Sequence, residues 1–100
     1  MIRGTTPTLK IKVTGMDVSL FKNIYITIKQ GSKELTKTSG DIEIKDGNIL
    51  SVFLDQEDTL KFLGGYIDIQ LRAVTDNGLA VASNIKRMSM ERVLKDGVIT

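Results

Sequence analysis

The sequence has no cysteine, no histidine and no tryptophan, and a single proline among its 100 residues. Without cysteine and histidine there is no disulfide, no thiolate or imidazole zinc site, no thiol nucleophile and no imidazole base. No apolar run approaches the roughly 18 residues of a membrane helix, so membrane insertion is not expected. Met1 to Pro7 carries one basic residue but leads into no long apolar stretch, unlike a secretory signal, which predicts a protein made and kept in a cytoplasm. Charge is nearly balanced, 14 basic residues against 12 acidic for a net +2. Hydrophobic residues at 41% exclude an intrinsically disordered chain, and the length suits one core and one domain, residues 1–100.

What is abundant points to strands. Ile, Val and Thr supply 29 residues and Ala only 3, the composition of pleated surfaces. Period-two alternation directs Leu9, Ile11 and Val13 to one face and Thr8, Lys10, Lys12 and Thr14 to the other. Ile24, Ile26 and Ile28 alternate in the same way with Tyr25, Thr27 and Lys29. Lys33 to Thr38 is polar apart from Leu35, as an edge strand would be. Asp46-Gly47-Asn48 predicts a hairpin whose return strand sends Leu50, Val52 and Leu54 inward and Phe53 outward.

Asp55 to Phe62 breaks the alternation and reads as a helical turn with Asp55 as N-cap, with Leu60 and Leu63 plugging one end of the core. Tyr66 to Val74 resumes period two with Ile67, Ile69, Leu71 and Ala73 inward. Thr75-Asp76-Asn77-Gly78 predicts a second tight hairpin of type I′. The last strand changes parity between Leu79 and Met90, which predicts a bulge near Ser83-Asn84 after which Met88 and Met90 point inward. Seven short strands and a helical turn between the fifth and sixth predict an all-β, immunoglobulin-like two-sheet antiparallel β-sandwich, with a small barrel as the competing fold. Residues 1–7 and 91–100 are expected as extended arms.

No constellation for catalysis emerges. Ser19, Ser51, Ser83 and Thr59 lack a base, and no nucleophile-elbow or Ser-x-x-Lys pattern is present. Asp55, Glu57 and Asp58 lack the spacing of a calcium loop and are explained by helix capping. Gly64-Gly65 has none of the lysine and hydroxyl sequel of a phosphate loop. No catalytic, cofactor-binding or metal-ligating residue is therefore assigned. Lys10, Lys12 and Lys29 could share outer strand faces, but the few aromatics do not interleave with them, so nucleic acid is not an expected partner.

The distribution of charge says more than its total. Residues 1–38 hold 7 basic and 2 acidic groups, residues 39–68 hold 2 and 7, and residues 69–100 hold 5 and 3. Such asymmetry either cancels within one sandwich or steers complementary surfaces of separate copies together, so a homo-oligomer is allowed. Tyr25, Phe53, Tyr66 and Val74 fall on outward positions, and Val93, Leu94, Val98 and Ile99 lie in the last arm. Tyr25, Phe53 and Tyr66 are the candidates for sheet-face contacts with a partner, and Val93, Leu94, Val98 and Ile99 for arm docking.

Arg3-Gly4-Thr5-Thr6-Pro7-Thr8-Leu9, Gln56 to Phe62, Ile69-Gln70-Leu71-Arg72, Ala82-Ser83-Asn84-Ile85 and Val93 to Ile99 together resemble small uncharacterised proteins of phages and prophages of Gram-positive bacteria. The layout is also similar to the immunoglobulin-like N-terminal domain of phage baseplate upper proteins. The resemblance implies a non-enzymatic virion structural or adaptor protein, associated with the tail or baseplate, whose partners are other phage virion or tail proteins. It would be found in the bacterial cytoplasm during expression and in the virion once incorporated. The alternative is a module that binds a host-surface glycan or protein.

Overall fold

A computed structural model describes residues 1–100. Nine regular elements follow one another: β1 (Thr8–Lys12), β2 (Phe21–Gln30), β3 (Lys33–Thr38), β4 (Ile42–Lys45), β5 (Ile49–Phe53), α1 (Gln56–Leu60), β6 (Gly65–Thr75), β7 (Ala80–Ala82) and β8 (Lys86–Met90). Short 3-10 turns at Val18–Leu20 and Ser39–Asp41 lead into β2 and β4. No helix is long and apolar enough to cross a membrane.

The strands form two antiparallel sheets. One runs β1-β5-β4, and the other runs β3-β2-β6 with β7 and β8 sharing the far edge of β6. This is the immunoglobulin-like sandwich that the strand pattern predicts, its sheets in the order of B-E-D and C′-C-F-G. The alternating residues explain the layers. Leu9, Leu50, Val52 and Leu54 from one sheet meet Ile24, Ile26, Ile28, Ile67, Ile69, Leu71 and Ala73 from the other in a single buried core.

Eight strands replace the expected seven because a one-residue irregularity splits the last one. Arg72 pairs with Ala82, but Ile69 pairs with Lys86, so the segment around Ser83 to Ile85 holds the extra residue. The Ser83 N–H and Oγ both bond the Leu71 backbone (2.9 and 3.0 Å), pinning the bulge to β6. The parity change follows, and Met90 is buried.

Two expectations are corrected. The core plug after α1 is Phe62, while Leu60 is half-buried and Leu63 is exposed. The short helix ends at Leu60, and the chain bends before Gly65, swinging Phe62 rather than Leu63 inward. The second hairpin is not a two-residue type I′ turn. Thr75 N–H bonds Leu79 C=O at 2.8 Å around a three-residue loop, Asn77 keeps a negative φ, and only Gly78 is left-handed at φ 83°. The Thr75 hydroxyl selects this loop by donating to Asn77 Oδ1 and accepting from Leu79 N–H. Residues 1–7 and 91–100 lie against each other through the Ile2–Glu91 bridge and the Arg3–Asp96 pair.

Candidate contact surfaces

The end of the sandwich that holds α1 is built from side chains that bridge distant segments. Asp55 caps α1 by accepting the Asp58 N–H (2.8 Å), and Asp58 returns the contact to the Asp55 N–H (3.0 Å). Thr59, buried, donates to Thr5 C=O at 2.9 Å. Arg3 donates from Nε to Phe62 C=O and from Nη2 to Leu60 C=O (3.1 Å), satisfying carbonyls left over at the end of α1. Its Nη1 pairs with Asp96 at 3.4 Å. Ile2 forms a parallel bridge with Glu91. Gly4, at φ 75°, leaves room for Leu60 and Val93, which a β-carbon would meet at 3.4 and 3.9 Å.

Two glutamines act as staples. The Gln30 amide donates to Leu63 C=O (2.7 Å) and accepts from Leu63 N–H (2.8 Å). Gln56 does the same to Ile99, at 3.0 and 2.8 Å, so one side chain imitates a β-bridge to the last segment.

Lys37 reaches from edge strand β3 to Asp58 at 2.9 Å, and both side chains are largely shielded. That hydrogen bond raises the lysine above its ordinary value, against desolvation and with help from the Asp58, Asp41 and Asp55 charges. For Asp58, burial pushes upward, but the bonds from Lys37 and the Asp55 N–H outweigh it and hold the carboxyl below the ordinary range. At the other end, hydrogen bonds from the Ser19 hydroxyl and N–H lower Asp17.

The structure scatters the three aromatic candidates. Tyr25 and Tyr66 share the outer face of the β3-β2-β6 sheet, but Tyr25 pairs with Arg72, six residues along β6 from Tyr66, a separation of about 20 Å. Tyr66 lies under the Arg87 guanidinium, 5.6 Å from its ring centre, and Arg87 also pairs with Asp68. Phe53 is on the opposite sheet, 57% exposed, beside a shallow pocket of about 270 Å³ with Thr8, Asp41, Glu43, Lys45 and Ser51. Ser51 is buried there, and its hydroxyl has no partner.

No family model, no curated protein and no solved structure matches this chain.

The candidates in the last segment share one stretch of chain tethered at the α1 end by Gln56 and Arg3. Leu94, Val98 and Ile99 stay exposed, Leu94 at 94%, while Val93 is half-buried. With Ile2, Leu63 and Tyr66 they leave exposed apolar groups on the segments joined at the α1 end. What sequence reasoning missed is the polar scaffold beneath them, since Arg3, Gln30 and Gln56 all act on residues at least 33 positions away. It also missed a cleft of about 320 Å³ between the edges of β1 and β8, floored by Ile11, Leu71 and Met88 and rimmed by Lys10, Lys12 and Lys86.

Proposed function

We propose that the chain is a non-enzymatic structural or adaptor protein of a phage or prophage, tail or baseplate associated, that works by protein–protein contact. The carrying observation is the α1 end, where Gln56 holds the Ile99 backbone and Arg3 pairs with Asp96 while the side chains of Leu94, Val98 and Ile99 stay exposed. A segment tethered through its backbone that leaves apolar side chains in solvent suits a partner, since less backbone freedom remains to be lost on docking. The phage setting is supported by the sequence resemblance. In this reading the protein is made in the bacterial cytoplasm and enters the virion. The test is mass spectrometry of purified tail particles after induction of the bacterium that carries the gene. The chain is expected in the particles, and the double variant Leu94→Asp, Val98→Asp is expected to be made yet left out of them. Particles that lack the wild-type chain while the cells contain it would overturn the proposal.

A second reading, a host-surface glycan-binding module, is favoured by one observation. Phe53 borders a pocket with two carboxylates and two hydroxyl side chains, a combination that suits a sugar face and its hydroxyl groups. Retention of the full chain on purified cell-wall glycan, lost in Phe53→Ser, would support it.

A further inference from the structure

The cleft between β1 and β8 lies where an immunoglobulin-like sandwich normally carries its first strand. Here that strand is reduced to the single Ile2–Glu91 bridge, after which the chain crosses to the other sheet, where Pro7 C=O accepts the Leu54 N–H. The β1 edge is therefore free, because β1 pairs only with β5. Beneath it the cleft continues past Val13 to Met16, and no acidic residue lines it at any point. An unpaired edge above an apolar floor suits an added strand. Lys10, Lys12 and Lys86 call for a strand whose apolar residues alternate with acids.

The chain contains such a strand. At the other edge of the same sheet, β4 is also paired only with β5; it reads Ile42-Glu43-Ile44-Lys45, with Asp41 just before it and Glu43 3.6 Å from Lys45. Ile44 points to the core side yet is 51% exposed, because nothing lies beyond it. The β1 edge thus carries Lys10 and Lys12, while the β4 edge carries Asp41 and Glu43 ahead of Lys45; each has an apolar row, and one domain cannot bring them together.

We infer that the β4 edge of a second copy docks on the β1 edge and cleft of the first, continuing the three-stranded sheet from copy to copy. Both strands run antiparallel to β5, so copies in the same orientation pair β4 with β1 in parallel. The register that sets Glu43 beside Lys12 also sets Asp41 beside Lys10 and faces Ile42 and Ile44 toward the cleft with Ile11 and Val13. Pairing β1 with β1 would instead oppose lysine with lysine. The contact is heterologous, so it builds a ring or a stack rather than a closed dimer. This inference rests on the contact-module reading above and names one partner for it, a second copy of the chain.

Light scattering coupled to size exclusion over a hundredfold concentration range tests it, together with two variants checked for folding by circular dichroism. Lys10→Glu, Lys12→Glu makes both edges acidic, and Asp41→Lys, Glu43→Lys makes both basic. Glu43→Lys alone replaces the second if Asp41 proves necessary for folding. The wild type is expected to associate with an affinity that falls at least about tenfold in high salt. Each variant alone is expected to be monomeric, and their equimolar mixture to associate again. A wild type that stays monomeric, an assembly untouched by Lys10→Glu, Lys12→Glu (the mark of β4 pairing with β4), or a mixture that stays monomeric would each overturn the inference. A monomer that still enters tail particles would sink this inference and leave the adaptor reading standing.

Discussion

The two ends of the sandwich are built by different means. At the end opposite α1, the turns close on themselves: Asp17 caps Ser19, and Thr75 bonds Asn77 and Leu79, within four residues. One backbone bond, Asp76 N–H to Leu20 C=O, ties those two turns together. At the α1 end the bonds join segments 33 to 93 residues apart through Arg3, Gln30, Gln56 and Thr59. Turns that close locally can open locally, whereas the α1 end must open as a unit or not at all. A surface that has to present apolar groups in fixed positions is better supported by the second construction.

The sharpest way to break this contrast is to remove the plug. Phe62→Ala is expected to destabilise by about 3–5 kcal/mol in denaturant unfolding, since Phe62 is almost fully buried beneath the staples. Next comes Arg3→Ala, expected at about 2–3 kcal/mol because it strips two carbonyls of a charged donor. Hydrogen exchange should then rise across residues 1–7 and 60–63 while the Thr75–Leu79 loop is unchanged. Equal rises at both ends would erase the distinction.

The Lys37–Asp58 pair tests the same end by pH. Asp58 is lowered, so its contribution is present above the ordinary carboxylate range and fades as pH falls through its folded value. Lys37 is raised, so its contribution is present below the ordinary lysine range and fades as pH rises through its folded value. Lys37→Met should therefore lower stability by about 1.5 kcal/mol at pH 7, with thermal melting curves of the two proteins converging as pH falls below the ordinary carboxylate range.

Gly78→Ala, at the opposite end, is expected to lose about 1 kcal/mol through its left-handed φ and to speed exchange only in its own loop. The smallest effect belongs to Ser51→Ala. Its hydroxyl is buried without a partner, so the change should be neutral or stabilising by up to about 1 kcal/mol. A loss of that size would reveal a bond to the hydroxyl.

The same division explains what could be read in advance. Strand parity, the Asp55 cap and the bulge at Ser83 were legible because each depends on neighbours within a few positions. The choice of Phe62 over Leu63 was not, since all three apolar residues after Thr59 fit a plug, and the direction of the chain there is set in part by Arg3. The Thr75 loop was misread because Asn-Gly favours one turn and the Thr75 hydroxyl another. Of the contact residues, parity placed Tyr25, Phe53 and Tyr66 outside correctly, but it carries no information about distance along a strand. The cleft was invisible, because it is made by a strand that is nearly missing.

The meeting of the first and last segments at one end has a further consequence. Ile2 bridges Glu91, Arg3 reaches Asp96 and Ile99 is held on α1, so the first and last segments lie together at the α1 end. The fold is thereby suited to be carried as a cassette inside a loop of a longer host protein. It is equally suited to circular permutation, with a short linker joining the old ends and new ends opened at the Asp46–Asn48 turn, on the far side from everything the staples hold.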